Sequence, residues 1–165
     1  MIAIWLSTSS LQRIRRFSQL CSSMADRDGL LLTVENVLCN TCDPMRHMRT
    51  LADQYPDIAF TFDTKMAAFH SQLEALYAPE NVWLWPHIKH FHVNDYGGGH
   101  MDWANMRVRQ LGQGKIDFNR FFSFVRQMGY AGDFTCEATA VSEDGTIRYD
   151  EMNASLDWLR KEVTR

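Results

Sequence analysis

Four short apolar runs end in side chains that can hold a metal ion or move a proton. They read Thr33-Val34-Glu35, Thr61-Phe62-Asp63, His90-Phe91-His92 and Thr135-Cys136-Glu137. In a strand, residues two apart share a face. Each pair therefore points one way, and Val34, Phe62, Phe91 and Cys136 point the other. Glu35, Asp63, His92 and Glu137 then stand at the C-terminal ends of successive strands, where α/β folds carry their active sites. Three carboxylates cannot crowd a partly dry pocket uncompensated. Either they take up protons or a cation neutralises them. An oxygen-rich set with one imidazole suits Mn²⁺ or Mg²⁺, with Co²⁺ or Zn²⁺ as alternatives. Taken singly, each acid reads as a helix cap and each histidine as a core residue. Four at equivalent positions favour the metal. On this spacing His92 is the ligand. His90 lies one layer deeper, level with Thr33, Thr61 and Thr135, as an inward group that orients a ligand through its ring N–H.

The elements that must position these groups alternate. "IAIWL" (Ile2–Leu6), "LLLTVE" (Leu30–Glu35), "IAFTFD" (Ile58–Asp63), "IKHFHVN" (Ile88–Asn94) and "DFTCEA" (Asp133–Ala138) read as strands. Between them lie helical patterns. The first carries Leu11, Ile14, Phe17, Cys21 and Met24 in phase. The second opens with Asp43 as N-cap and Pro44 at its first position, with Met45, Met48 and Tyr55 on one stripe. "MAAFHSQLEALYA" reads as a third helix. "DFNRFFSFVRQMG" is capped by Asp117 and closed by Gly129, and "YDEMNASLDWLRKEV" puts Met152, Leu156, Leu159 and Val163 in phase. Such β-α alternation implies a parallel sheet covered by helices. Glu35, Asp63 and His92 are spaced by 28 and 29 residues, but His92 to Glu137 takes 45. The excess is a Gly-rich segment, Asp95 to Gly114, of a length usually reserved for function.

Bulk properties narrow the partners. The 165 residues are 45% hydrophobic and carry a net charge of −3. No basic patch favours nucleic acid, and Arg13–Arg16 reads as a solvated helix face. The apolar N-terminal run is too short to span a membrane. Cys39 and Cys42 form a C-x-x-C spacing with no second pair, which fits reduced thiols in a cytoplasmic protein rather than a zinc site.

The segments "TVEN", "FTFDTKMAAFH", "IKHFHVND", "LGQGKIDFNRFFSFVRQMGYAGDFTCEA" and "SLDWLRK" resemble the sugar phosphate isomerase/epimerase family with a xylose isomerase-like TIM barrel. The likeness runs from about Leu30 to the C-terminus. It implies that Glu35, Asp63, His92 and Glu137 bind the metal. It also implies that Glu35 and Glu137 exchange protons beside a substrate carbonyl, through a metal-stabilised enediolate, on a small sugar or polyol derivative. The chain departs from the pattern at Met66, where a substrate-contacting histidine is common, and at Gly98, where an arginine is common. Lys65, His100 and Arg109, with His70 and Arg107, are the candidates for substrate contact instead.

A closed (β/α)₈ barrel takes about 250 residues. The chain therefore reads as strands four to eight of an incomplete TIM-barrel-like α/β domain over residues 1–165. Three βα units would be lacking, or the sheet would close by pairing with another chain as a homo-oligomer. Two other functions stay open. One is a catalytically inactive, metal-binding remnant. The other is an AP endonuclease resembling endonuclease IV, for which Met106 and Val108 stand where further zinc ligands are needed.

Overall fold

The computed structural model describes residues 2–4, 25, 27–37, 43–107, 109–137 and 144–165. The helix expected around Leu11 to Met24, the Arg13–Arg16 run, the Cys39–Cys42 pair and Val108 lie outside them. Five strands form one sheet: β1 (Ile2–Ile4), β2 (Leu32–Glu35), β3 (Phe60–Asp63), β4 (Ile88–Val93) and β5 (Asp133–Cys136). They are all parallel and follow chain order. This is how consecutive strands run in a (β/α) barrel wall, and the sheet is part of one.

The helices are α1 (Pro44–Gln54), α2 (Thr64–Phe69), α3 (Phe118–Gln127) and α4 (Tyr149–Val163). Both expected N-caps form. Asp43 accepts from the Arg46 N–H at 3.0 Å, and Asp117 accepts from the Arg120 N–H at 3.0 Å. Gly129, at φ +67°, follows α3 in the left-handed conformation that glycine tolerates best. Helix α1 buries Met45, Met48, Leu51 and Ala52, a helical stripe against the sheet. The core is strongly aromatic. Phe91, fully buried, meets Phe62 and Phe121 edge-on and stacks on Phe134 at 5.6 Å.

Two helical expectations are corrected. "MAAFHSQLEALYA" is not one helix: α2 stops at Phe69, and a separate 3-10 turn covers Glu74–Tyr77. Ser71 turns the chain at φ +56°. Gln72 then donates to Asp43 Oδ1 at 2.7 Å and accepts from the Met45 N–H at 3.1 Å. Bonding to the start of α1 is worth more here than helix continuation. Helix α4 keeps the expected Leu159 inward but is rotated, so that Met152 and Leu156 are only half-buried. Its buried residues are Ser155, Leu159 and Glu162, while Val163 is exposed. Polar docking sets that rotation: Ser155 Oγ accepts from the Leu111 N–H, and Arg126 donates to the Glu162 carbonyl.

The Gly-rich segment is ordered by one buried carboxylate. Asp95 accepts from the N–H groups of Tyr96, Gly112 and Gly114 at 2.7–2.9 Å, and from that of Ile116 at 3.4 Å. A Cβ at Gly114 would lie 2.1 Å from Asp95 Oδ1, so only glycine fits there. Replacing Asp95 with Ala strands these donors, and each unsatisfied buried group costs about 1–3 kcal/mol. We therefore expect Asp95→Ala to lose roughly 3 kcal/mol or more of stability by urea denaturation. A loss under about 1 kcal/mol would contradict this account.

Candidate metal centre

The C-terminal ends of β2, β3, β4 and β5 deliver Glu35, Asp63, His92 and Glu137 to one place. One donor atom from each lies within 4.8 Å of every other. His92 Nδ1 is 3.0 Å from Glu35 Oε1 and 3.3 Å from Glu137 Oε1, so Nδ1 is the ring nitrogen that faces the cluster. Glu35 and Asp63 are buried. The Glu137 side chain is half exposed and opens the site to solvent on the β5 side.

The levels differ from the simple alignment of strand ends. Asp63 does pair in register with His92, and Thr61 with His90. Glu35, however, pairs with Thr61, and His92 pairs with Thr135. The ends of β2 and β5 are thus each offset by two residues, while a register shift at Phe60/Thr61 brings Asp63 level with His92. The four side chains meet because the stagger of a barrel wall is taken up by side-chain reach.

Asp63 is the most constrained member. Its Oδ1 caps α2 by accepting the Met66 N–H at 2.7 Å, and its Oδ2 accepts from Asn94 Nδ2 at 2.6 Å. Burial pushes its pKa up to about 6, helped by the negative charge of Glu35 and opposed by those hydrogen bonds. His92 is pulled both ways. Burial alone would lower its pKa, but the hydrogen bond and charge of Glu35, with the charges of Glu137 and Asp63, raise it overall. The acids crowd, and the imidazole is drawn towards its protonated form. A bound divalent cation resolves both conflicts, so the donor set fits such an ion.

Beneath the cluster lies a hydroxyl and imidazole layer. Thr33 and Thr61 share a 2.8 Å hydrogen bond, and His90 Nε2 bonds Thr135 Oγ1 at 2.8 Å. His90 makes no ring N–H bond to a member of the cluster. It meets the His92 ring edge-on at 5.2 Å, and its Nδ1 is buried without a partner. Its pKa is lowered, by burial first and by His92 second. That corrects the expected orienting hydrogen bond: contact is through the ring.

Two residues escaped the spacing argument. Asn36 accepts from the Asp63 N–H at 2.6 Å and donates to the Asp63 carbonyl at 3.0 Å, tying the end of β2 to β3. Asn94 donates from one amide nitrogen to both Asp63 Oδ2 and, at 3.2 Å, Glu137 Oε2. Each follows a candidate ligand by one or two positions. A short amide where the ladder ends, able to donate and accept, is the available signal.

The substrate-contact candidates separate. Lys65 lies in the first turn of α2, beside Asp63. His100 is exposed and bonds Ser71 Oγ at 3.0 Å. His70 is buried with neither ring nitrogen bonded, and burial lowers its pKa. Arg107 is exposed, and Arg109 is half-buried. Gly98 has φ +99°, which a larger residue would adopt only under strain.

The family comparison agrees with this architecture. Residues 8–162 match the xylose isomerase-like TIM barrel. The chain belongs to that family, which includes isomerases and epimerases as well as AP endonucleases. No curated protein matches the chain. Among the described residues no helix is long and apolar enough to cross a membrane.

Two tests follow from the geometry. A metal ion competes with protons for Asp63 and His92. Mn²⁺ affinity should level off only above the raised pKa of His92 and weaken about tenfold per proton displaced, per pH unit, as the pH falls through it and then through about 6. Calorimetric titration between pH 5 and 8 reads this, and pH-independent affinity would refute it. His92→Ala should abolish the thermal stabilisation by Mn²⁺. His90→Ala should keep it on a less stable protein, and the opposite pattern would overturn the assignment.

Proposed function

We propose that the protein is a metal-dependent isomerase or epimerase of a small sugar, sugar phosphate or polyol derivative. The observation that carries this is the approach of two carboxylates, Glu35 and Glu137, to a single point at His92 Nδ1. Proton exchange at a carbon beside a carbonyl needs a base and an acid at close quarters. Glu35 is buried and hydrogen-bonded to His92, which holds its carboxylate in one orientation. Glu137 is half exposed and held by Asn94 on its other oxygen, so it can exchange protons with substrate and solvent. In this reading one takes the proton from carbon and the other returns it. A bound Mn²⁺ or Mg²⁺ supplies Lewis-acid stabilisation of the enediolate charge. Asn36 and Asn94 fix Asp63 and Glu137, and the threonine layer closes the floor. The same reading places the protein in the cytoplasm with a small-molecule substrate and neither nucleic acid nor membrane as partner. The net charge of −3 and the acidic site support that choice. Sheet closure by a second copy of the chain belongs to the same proposal.

The test is solvent exchange. With Mn²⁺ in D₂O, a panel of ketoses and ketose phosphates should gain deuterium beside the carbonyl, read by NMR. Glu35→Gln and Glu137→Gln should each slow this by about a hundredfold or more. Wild-type rates in either variant would remove that residue from the acid–base role. Stabilisation by Mn²⁺ with no exchange for any sugar would replace this reading with that of a metal-binding protein without turnover.

A further inference from the structure

Arg109 sits on the Asp95–Gly114 segment, which rises from the end of β4 that carries His92 and Asn94. Its guanidinium packs directly on Gly97. A Cβ there would come within 2.7 Å of Nη2 and 2.9 Å of Nε. Nη2 makes one long bond, 3.4 Å, to Asn105 Oδ1, while Nε is buried without a partner. Among the described residues Arg109 forms no ion pair, whereas six arginines at exposed positions do. The Asp102 carboxylate, joined to Arg109 only through Asn105, is taken by Asn105 Nδ2 at 2.8 Å and by the Ala104 N–H. A half-buried guanidinium without a counter-charge is costly unless a ligand supplies one.

A second cation stands close by. The Lys115 stem lies against Gly98, its Cγ 3.3 Å from where a Cβ would be, and Lys115 also forms no ion pair among the described residues. The absence of side chains at Gly97 and Gly98 is what lets the two cationic side chains lie directly on the loop backbone. Gly97 follows Asn94 by three residues, a chain reach of about 10 Å at most. The Arg109 guanidinium thus rests on backbone that leaves the strand end carrying His92 and Asn94.

We infer that Arg109, with Lys115 beside the Gly97–Gly98 pair, binds an anionic group of the substrate, a phosphate or a carboxylate. Calling that group part of the substrate rests on the isomerase reading; the anion site itself does not. A planar guanidinium matches either oxyanion through paired N–H donors.

The test titrates inorganic phosphate and, separately, acetate into the EDTA-treated protein at constant ionic strength, followed by thermal shift. Removing metal keeps the carboxylate cluster from binding the probe through an ion. We expect saturable stabilisation, stronger with whichever anion the site is built for. Arg109→Gln should weaken it about tenfold or more, with Arg109→Lys in between. Mn²⁺ should still stabilise Arg109→Gln, showing that the variant is folded. Lys115→Gln, at an exposed position, is the second variant and should weaken binding several-fold. The inference is overturned if the wild type binds neither anion, or if Arg109→Gln binds both as the wild type does. Phosphate binding that depends on Arg109 supports the site even if no ketose exchanges deuterium, so the two readings fail separately.

Discussion

The buried Asp63 carboxylate is the constraint from which the centre is built. It ends β3, caps α2 and accepts the amide of Asn94, all while lying beside Glu35. Those bonds do not offset its burial, since its pKa rises to about 6. Relative to an ordinary aspartate near 3.8, holding the charge at neutral pH costs the metal-free fold about 3 kcal/mol. Because the folded-state pKa is the higher one, that cost appears as pH rises from about 4 to 6 and vanishes on protonation. A divalent cation offsets the same cost without a proton. Structure and metal affinity thus meet in one side chain.

Asp95 shows the contrast. It is equally buried and follows the neighbouring strand, β4, yet it meets only N–H donors. No second acid crowds it in the cluster of donors, so it organises a loop instead of calling for an ion. Two buried carboxylates at the ends of adjacent strands therefore do different work. What separates them is the charge of their neighbours.

The two histidines divide in the same way. His92 faces carboxylates and is pulled towards its charged form; His90 faces Thr135 and the His92 ring and is pushed towards its neutral form. The residues are two apart on one strand, but one belongs to the cluster and the other to its floor. The Gly-rich segment adds a third electrostatic zone, with Arg109 and Lys115 lying on a glycine pair.

Much of this was legible in the sequence because it depends on local geometry. Period-two runs ending in Glu35, Asp63, His92 and Glu137 put four donors at parallel strand ends, and Asp43, Asp117 and Gly129 mark helix boundaries through bonds spanning a few residues. The β-α alternation and the membership of the barrel family follow from the same patterns. Other features were decided only by packing between distant segments. Strand register offset Glu35 and Glu137 by two residues, because neighbouring strands in a barrel wall slide past one another. Gln72 broke a helix that its own periodicity would have continued, because Asp43 and Met45 offered it bonds from 27 to 29 residues away. Ser155 and Glu162 set the rotation of α4 against apolar phase. Asn94 became a bridge between two acids, and among the described residues Arg109 was left without an ion-pair partner. Spacing along a chain specifies which side a residue faces, but not which group from elsewhere will stand opposite it.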